Sequence, residues 1–290
     1  VISATLYTDP GCPWAYSGIP ALRVLEWRYG DQLAWRLVMV GLTEQASQYE
    51  ARGYTPLGSA LGQLRFRDRY GMPFSPAPKP RVSATSRACR VIVAARLERP
   101  GTEWRVLRAL QLANFTTPLV LEDDRELAEA LSGLDGVDGE RLVARIDDPE
   151  VVAAYERDRA ETRSAEGSAA ELQGKTAATD GPVRFTAPSV VFERDGVRLV
   201  AGGFQPVQAY DVLVANLDPG LRREPPPETP EPLLLRFPEG LTTPEVAVLL
   251  ARGNDAPDRT GAEAALLELV AAGRARREPL GDGALWKPAV

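Results

Sequence analysis

The residue of this chain best suited to chemistry is a cysteine at a strand-to-helix junction. The segment "YTDPGCPWAYSG", residues 7–18, runs from a short apolar strand through a turn to Cys12, Pro13 and Trp14. Pro13 suits a first helical turn. Unpaired backbone N–H groups and the helix dipole at that point predict a thiol pKa below its ordinary value. A dithiol motif would carry its second sulfur at position 15, which is Ala15. An internal disulfide across this motif is therefore ruled out. A lone thiolate can still attack a disulfide and form a mixed disulfide that an external thiol resolves. Cys89 is the candidate second thiol, although free cysteines are more often buried and structural. Tyr16 and Ser17 are candidate hydroxyl donors beside the sulfur, and Trp14 is a candidate wall of a pocket.

Composition narrows the chemistry further. There is no histidine among the 290 residues. That removes Ser-His-Asp and Cys-His catalysis and every His-containing metal site. Two cysteines are too few for a thiolate zinc site or a disulfide scaffold, so no metal is expected and a reducing cytoplasm is. A net charge of −6 argues against wide contact with nucleic acid or an anionic membrane. No apolar run is long enough to span a bilayer. The first ten residues read as a strand, with neither the basic region nor the apolar region of a secretory signal. Abundant Ala and Arg with little Lys is the composition expected of a high-GC bacterium.

The elements that must hold Cys12 follow from periodicity. A strand over 1–8, a helix ending near Gly30 and a continuously apolar strand over 33–42 form a strand–helix–strand unit with a buried parallel pair. Residues 45–180 turn helical, with apolar residues every three or four positions in "ATSRACRVIVAARLERPG", "EWRVLRALQLANF", "DDRELAEALSGL", "DGERLVARI" and "DPEVVAAYERDRAETRSAEG". Strands return in "APSVVFERDGVRLVAGG", where "RDG" signals a hairpin, and "FQPVQAYDVLVANL" predicts a closing helix. "RREPPPETPEP", residues 222–232, predicts a stiff extended linker. Residues 233–290 read as a separate module of two helices, a basic strand, a Gly-Asp-Gly turn and an aromatic strand.

These residues resemble a known family. "YTDPGCPWAYSG", "ATSRACRVIVAA", "LQLANFTTPLVLEDDREL", "FTAPSVVFERDG" and "GGFQPVQAYDVLVANL" are similar, in order, to segments of the DsbA-like thioredoxin-fold proteins. The branch they resemble comprises the FrnE-type oxidoreductases and the 2-hydroxychromene-2-carboxylate isomerases, relatives of the kappa glutathione transferases. The resemblance spans roughly residues 3–217. It implies an α/β thioredoxin-like domain (1–44 and 181–221) interrupted by an inserted helical domain (45–180). It implies a cis Pro188 facing Cys12, with the Ala187 main chain offered to a substrate. It also places the helix bearing Cys89 at the cleft, so that Arg81, Arg87 and Arg90 become candidates for the carboxylates of a small thiol. In the isomerase branch a thiol or hydroxyl at the helix start serves a glutathione thiolate, which needs one residue only. The external thiol implied is glutathione or, in an actinobacterium, mycothiol. The departure from the family pattern is Ala15.

The module at 233–290 has the element order of a winged helix, a DNA-binding shape. It carries seven basic and eight acidic residues, and its second helix, "TGAEAALLELVAAG", has two Glu and no cation. Phosphate contacts need cations, so packing or homodimerisation is expected rather than DNA binding. The function expected is a single-cysteine thiol-disulfide oxidoreductase or thiol-dependent isomerase acting on a small-molecule or peptide substrate. The alternatives are a redox-inactive binding protein and a redox-linked regulator acting through the C-terminal module.

Overall fold

The computed structural model describes residues 1–289. The chain opens with β1 (Ile2–Thr8), a short helix α1 (Pro13–Ser17), α2 (Ile19–Tyr29) and β2 (Leu33–Met39). β1 pairs with β2 in parallel, from Ile2 opposite Leu33 to Thr8 opposite Met39. A parallel pair needs a crossover, and α1 and α2 supply it. Only Ser3 of β1 is exposed, as suits a strand with neighbours on both sides. In β2 the expected burial holds for Leu33 and Leu37–Met39, but Ala34 and Arg36 are exposed, because β2 is an edge strand.

The helices that follow are α3 (Ala46–Glu50), α4 (Pro56–Tyr70), α5 (Ser86–Glu98), α6 (Glu103–Thr116), α7 (Asp124–Leu131), α8 (Gly139–Ala144), α9 (Pro149–Thr162) and α10 (Ala169–Leu172). Asp123 and Asp138 cap α7 and α8 by accepting from the N–H groups of Glu126 and Arg141, the usual use of a short acidic side chain before a helix. α5 is buried along most of its length, and its Ala88, Val91 and Ile92 share one core with Ile2, Leu6 and Leu37 of the sheet. The inserted helices therefore do not form a core of their own. They complete the core of the sheet.

Two short strands, β3 (Thr176–Ala177) and β4 (Arg184–Phe185), pair with each other before the sheet resumes with β5 (Ser189–Arg194) and β6 (Val197–Ala201). The sheet order is β2-β1-β5-β6, with β5 antiparallel to both β1 and β6. Asp195 (φ 51°) and Gly196 (φ 79°) turn the β5–β6 hairpin. Positive φ at both positions is what a type I′ turn demands and why the pair is Asp-Gly. α11 (Val207–Leu217) closes this part.

The proline-rich segment is not a free spacer. The indole N–H of Trp27 donates to the Pro225 carbonyl at 2.9 Å, Glu224 N–H to the Arg28 carbonyl at 2.9 Å, and Gln32 Nε2 to the Arg222 carbonyl at 2.8 Å. The prolines keep the segment extended, and these bonds strap it along α2. Its last residues already enter α12 (Glu231–Arg236). There follow β7 (Leu241–Thr242), α13 (Thr243–Leu250), α14 (Arg259–Ala271), β8 (Ala275–Leu280) and β9 (Gly283–Pro288), in a three-stranded antiparallel sheet ordered β7-β9-β8. Leu233, Val246, Leu266 and Trp286 form its core, and Val24 and Trp27 of α2 close it. Glu245 is fully buried at this junction, held by Arg108 at 2.7 and 2.9 Å and by Arg23 at 3.4 Å.

Candidate functional site

Cys12 is the N-cap of α1, with extended backbone (φ −86°, ψ 115°), so its side chain leaves the helix start toward β5. Its thiol donates to the Ala187 carbonyl at 3.1 Å, and the Ala187–Pro188 bond behind that carbonyl is cis. Cys12 is only 5% exposed. Burial pushes the Cys12 thiol up to about 12 and the negative charge of Asp9 adds to this, outweighing the Ala15 and Trp14 N–H groups that favour the anion. The expectation of a depressed thiol pKa is therefore corrected. α1 has a single turn's worth of dipole, and desolvation of the charged sulfur is the larger effect.

Asp9, three residues before the thiol, is completely buried. One oxygen accepts from Gly11 N–H at 2.9 Å. The other accepts from Leu42 N–H at 2.9 Å, Thr85 Oγ1 at 2.9 Å and Cys89 Sγ at 3.5 Å. All these donors are neutral, and burial pushes the Asp9 carboxyl above its ordinary value. Asp9 thereby ties the loop carrying Cys12 to the end of β2 and the start of α5. Gly11 is needed for this closeness, since a Cβ there would lie 2.5 Å from the Thr85 methyl.

In front of Cys12 lies a cavity of about 680 Å³, within the range of small-molecule sites. Cys12, Pro13 and Trp14 form one side, α4 and the turn before it another, and Lys79, Asn114 and Arg184 line it from three further segments. Trp14 is 43% exposed and meets Phe66 edge-on at 4.9 Å, with Tyr70 and Phe204 also in contact. Thr55 caps α4 by accepting from Gly58 N–H at 3.0 Å.

No protein-family model and no curated protein matches the chain. Solved structures do. A Nitrosomonas europaea protein described as a candidate protein disulfide isomerase aligns with TM-score 0.57 and 17% identity, over 74% of this chain and 96% of its own. A probable DsbA oxidoreductase of Streptomyces coelicolor aligns with TM-score 0.54 and 18% identity, over 76% and 91%. The cytosolic disulfide reductase DsbM of Pseudomonas aeruginosa aligns with TM-score 0.50 and 20% identity, over 74% and 98%, and is also known with GSH. The fold is that of the DsbA-like thioredoxin-fold oxidoreductases.

Within this DsbA-like frame, several sequence candidates lie elsewhere than expected. Tyr16 is fully buried, donating to the Pro73 carbonyl at 2.7 Å and stacking on Phe115, so it offers no hydroxyl beside the sulfur. Ser17 is buried too, its hydroxyl without a hydrogen-bond partner among the described residues. Arg87 is held bidentately by Asp124 at 2.7 and 2.8 Å, Arg81 by Glu122 at 2.6 Å and Arg90 by Asp147 at 2.9 Å. None of the three lines the cavity. A helical arginine finds a carboxylate on the next helix more cheaply than it reaches across a cleft.

Cys89 sits in the main core, not at the cavity, and its thiol serves Asp9. Ala187 and Pro188 are buried behind Cys12 and do not line the cavity either. The cations that do line it, Arg52, Lys79 and Arg184, lie outside the quoted motifs. The Thr-Pro start of α4 at 55–56 is a cap signature that could have shown the wall. Asp9 was visible within the opening motif. Nothing local marks Arg184.

Proposed function

We propose that this protein is a thiol-disulfide oxidoreductase that works with Cys12 and an external low-molecular-weight thiol. The observation that carries this reading is that Cys12 brings a single sulfur to the cavity, beside a cis-proline, in a DsbA-like fold. Ala15 leaves it without a resolving partner in the motif. The Cys12 thiolate attacks one sulfur of a bound disulfide, forming a new S–S bond and releasing the other sulfur as thiolate. An external thiolate then attacks the substrate-derived sulfur, restoring the Cys12 thiolate and leaving a disulfide of substrate and external thiol. The work is placed in the cytoplasm, where such thiols are reduced. The C-terminal module acts by packing, not by binding DNA.

A second reading is favoured by burial, which raises the Cys12 thiol and favours its protonated form. In it Cys12 stays protonated and donates its hydrogen bond to the sulfur anion of a bound external thiol, as thiol-dependent isomerisation requires. The GSH-bound DsbM structure makes glutathione the first thiol to test. Under the first reading, oxidised glutathione leaves one glutathionyl group on Cys12 in intact mass spectra, and Cys12→Ser abolishes disulfide reduction. Under the second, Cys12→Ser retains activity, because a hydroxyl can donate the same bond. A wild-type chain that forms no adduct from neutral to alkaline pH and turns over no disulfide would retire the oxidoreductase reading.

A further inference from the structure

The cavity in front of Cys12 is charged with one sign only. Arg52, Lys79 and Arg184 line it, and among the described residues no Asp or Glu does. Each cation is short of a carboxylate in its own way. Lys79 Nζ donates to Asn114 Oδ1 at 3.0 Å and to the Leu119 carbonyl. An ammonium has three donors, and among the described residues Lys79 has neither a third acceptor nor an ion pair. Arg52 stands at the rim with its guanidinium 5.7 Å from the Tyr49 ring and, among the described residues, without an ion pair.

Arg184 is only 6% exposed, and among the described residues its Nε has no hydrogen-bond partner. Its other nitrogens reach the Phe185 carbonyl at 3.0 Å and Thr179 Oγ1 at 3.4 Å. The carboxylate beside it is Asp180, at 3.8 Å, and that group is already engaged by Arg163 and by Arg159 at 3.2 Å. Arg159 also pairs with Glu44 and Glu156 at 3.2 Å, so Asp180 is the carboxylate that Arg163 and Arg184 share. Positive charge buried away from water is costly unless an anion completes it.

We propose that the thiol taken by this cavity is a carboxylate-bearing one, selected by Lys79 and Arg184. The inference rests on the cavity being a thiol site, as argued above, and narrows the ligand class. Glutathione carries carboxylates at both ends and meets the requirement. Mycothiol, a glycoside with no carboxylate, leaves both cations unanswered. The residues that choose the ligand are then not the arginines of α5, which are neutralised on the surface. Lys79 comes from the loop before α5, and Arg184 from the strand just ahead of the cis-proline.

The test uses S-methylglutathione, whose blocked sulfur cannot exchange, titrated calorimetrically into the full chain at low ionic strength. The free acid is expected to bind, and its dimethyl ester to bind at least about tenfold more weakly, since charge-assisted hydrogen bonds are lost. Lys79→Met and Arg184→Gln should each weaken binding of the acid by roughly tenfold without weakening that of the ester, while Arg184→Lys retains part of it. A melting curve for each variant confirms that it is folded, and Lys79→Met carries the test if Arg184→Gln is not. No binding of the acid at millimolar concentration, equal affinity for acid and ester, or indifference to both substitutions would overturn the inference. Because the probe is inert at sulfur, a Cys12 with no redox activity leaves this readout intact. Conversely, Cys12 turning over small uncharged disulfides in a chain that ignores carboxylates sinks only this inference.

Discussion

Two buried carboxylates in this molecule have opposite surroundings. At the junction of α2, α6 and the C-terminal module, Glu245 meets Arg108 bidentately and Arg23 at 3.4 Å, and Thr242 N–H caps it at 2.7 Å. The guanidinium groups outweigh burial and hold its carboxyl at about 2. Beneath Cys12, Asp9 is as deeply buried but meets only neutral donors, and its carboxyl goes up. The two cavities repeat the contrast. A small one of about 100 Å³ at the junction is lined by Arg23, Arg105 and Arg108, each paired with a glutamate. The larger one at Cys12 has cations and no carboxylate on its wall. Where charge is matched internally the chain is joining two of its own parts. Where it is left unmatched, the missing partner comes from outside.

The largest effect that could break this comparison is at the junction. Glu245→Gln leaves Arg108 buried without its counter-charge and should cost about 3–5 kcal/mol of unfolding free energy in denaturant titration. A loss under about 1 kcal/mol would mean that the junction is not held by matched charge. The pH dependence has a definite sign. The folded carboxyl lies below the unfolded carboxylate value, so its stabilisation is complete above roughly pH 4.3 and is lost as pH falls through about 2.

Asp9→Asn is the counterpart at the site, with a smaller expected cost. The amide places a donor where one oxygen accepted, so about 1–3 kcal/mol of stability should be lost. It also removes a negative charge that raises the thiol, so the pH midpoint of Cys12 alkylation should fall below that of the wild type. A midpoint that stays or rises would show that Asp9 does not act on the sulfur.

Arg87→Gln tests the surface pairs. Removing its exposed bridge to Asp124 should change stability by at most about 1 kcal/mol and leave thiol binding unchanged. Weakened thiol binding in this variant would return α5 to the site.

The legible parts were those set by local pattern. The strand before Cys12, the helices from 86 to 162 and the Asp-Gly hairpin all lie where periodicity and turn residues place them. The pairing of Cys12 with Ala187 was readable only through family resemblance, because the two are 175 residues apart. The arginines of α5 misled because a charge pattern says which residues are cationic, not whether a neighbouring helix supplies their carboxylates. Tyr16 misled for a similar reason. One position along a helix turns a side chain from the cavity into the core, and the pattern around residue 16 did not show which side α6 would cover.

The sequence by itself determined the kind of chemistry open to this protein. Without histidine and with Ala15 in place of a second sulfur, a lone thiol and a borrowed partner are what the motif leaves. Tertiary structure alone decided the state of that thiol and the charge of its surroundings. A pKa depends on burial and on nearby charge, and Lys79 and Arg184 reach the cavity in front of Cys12, with Asp9 buried beneath the thiol, only once the sheet has closed over the helices between them.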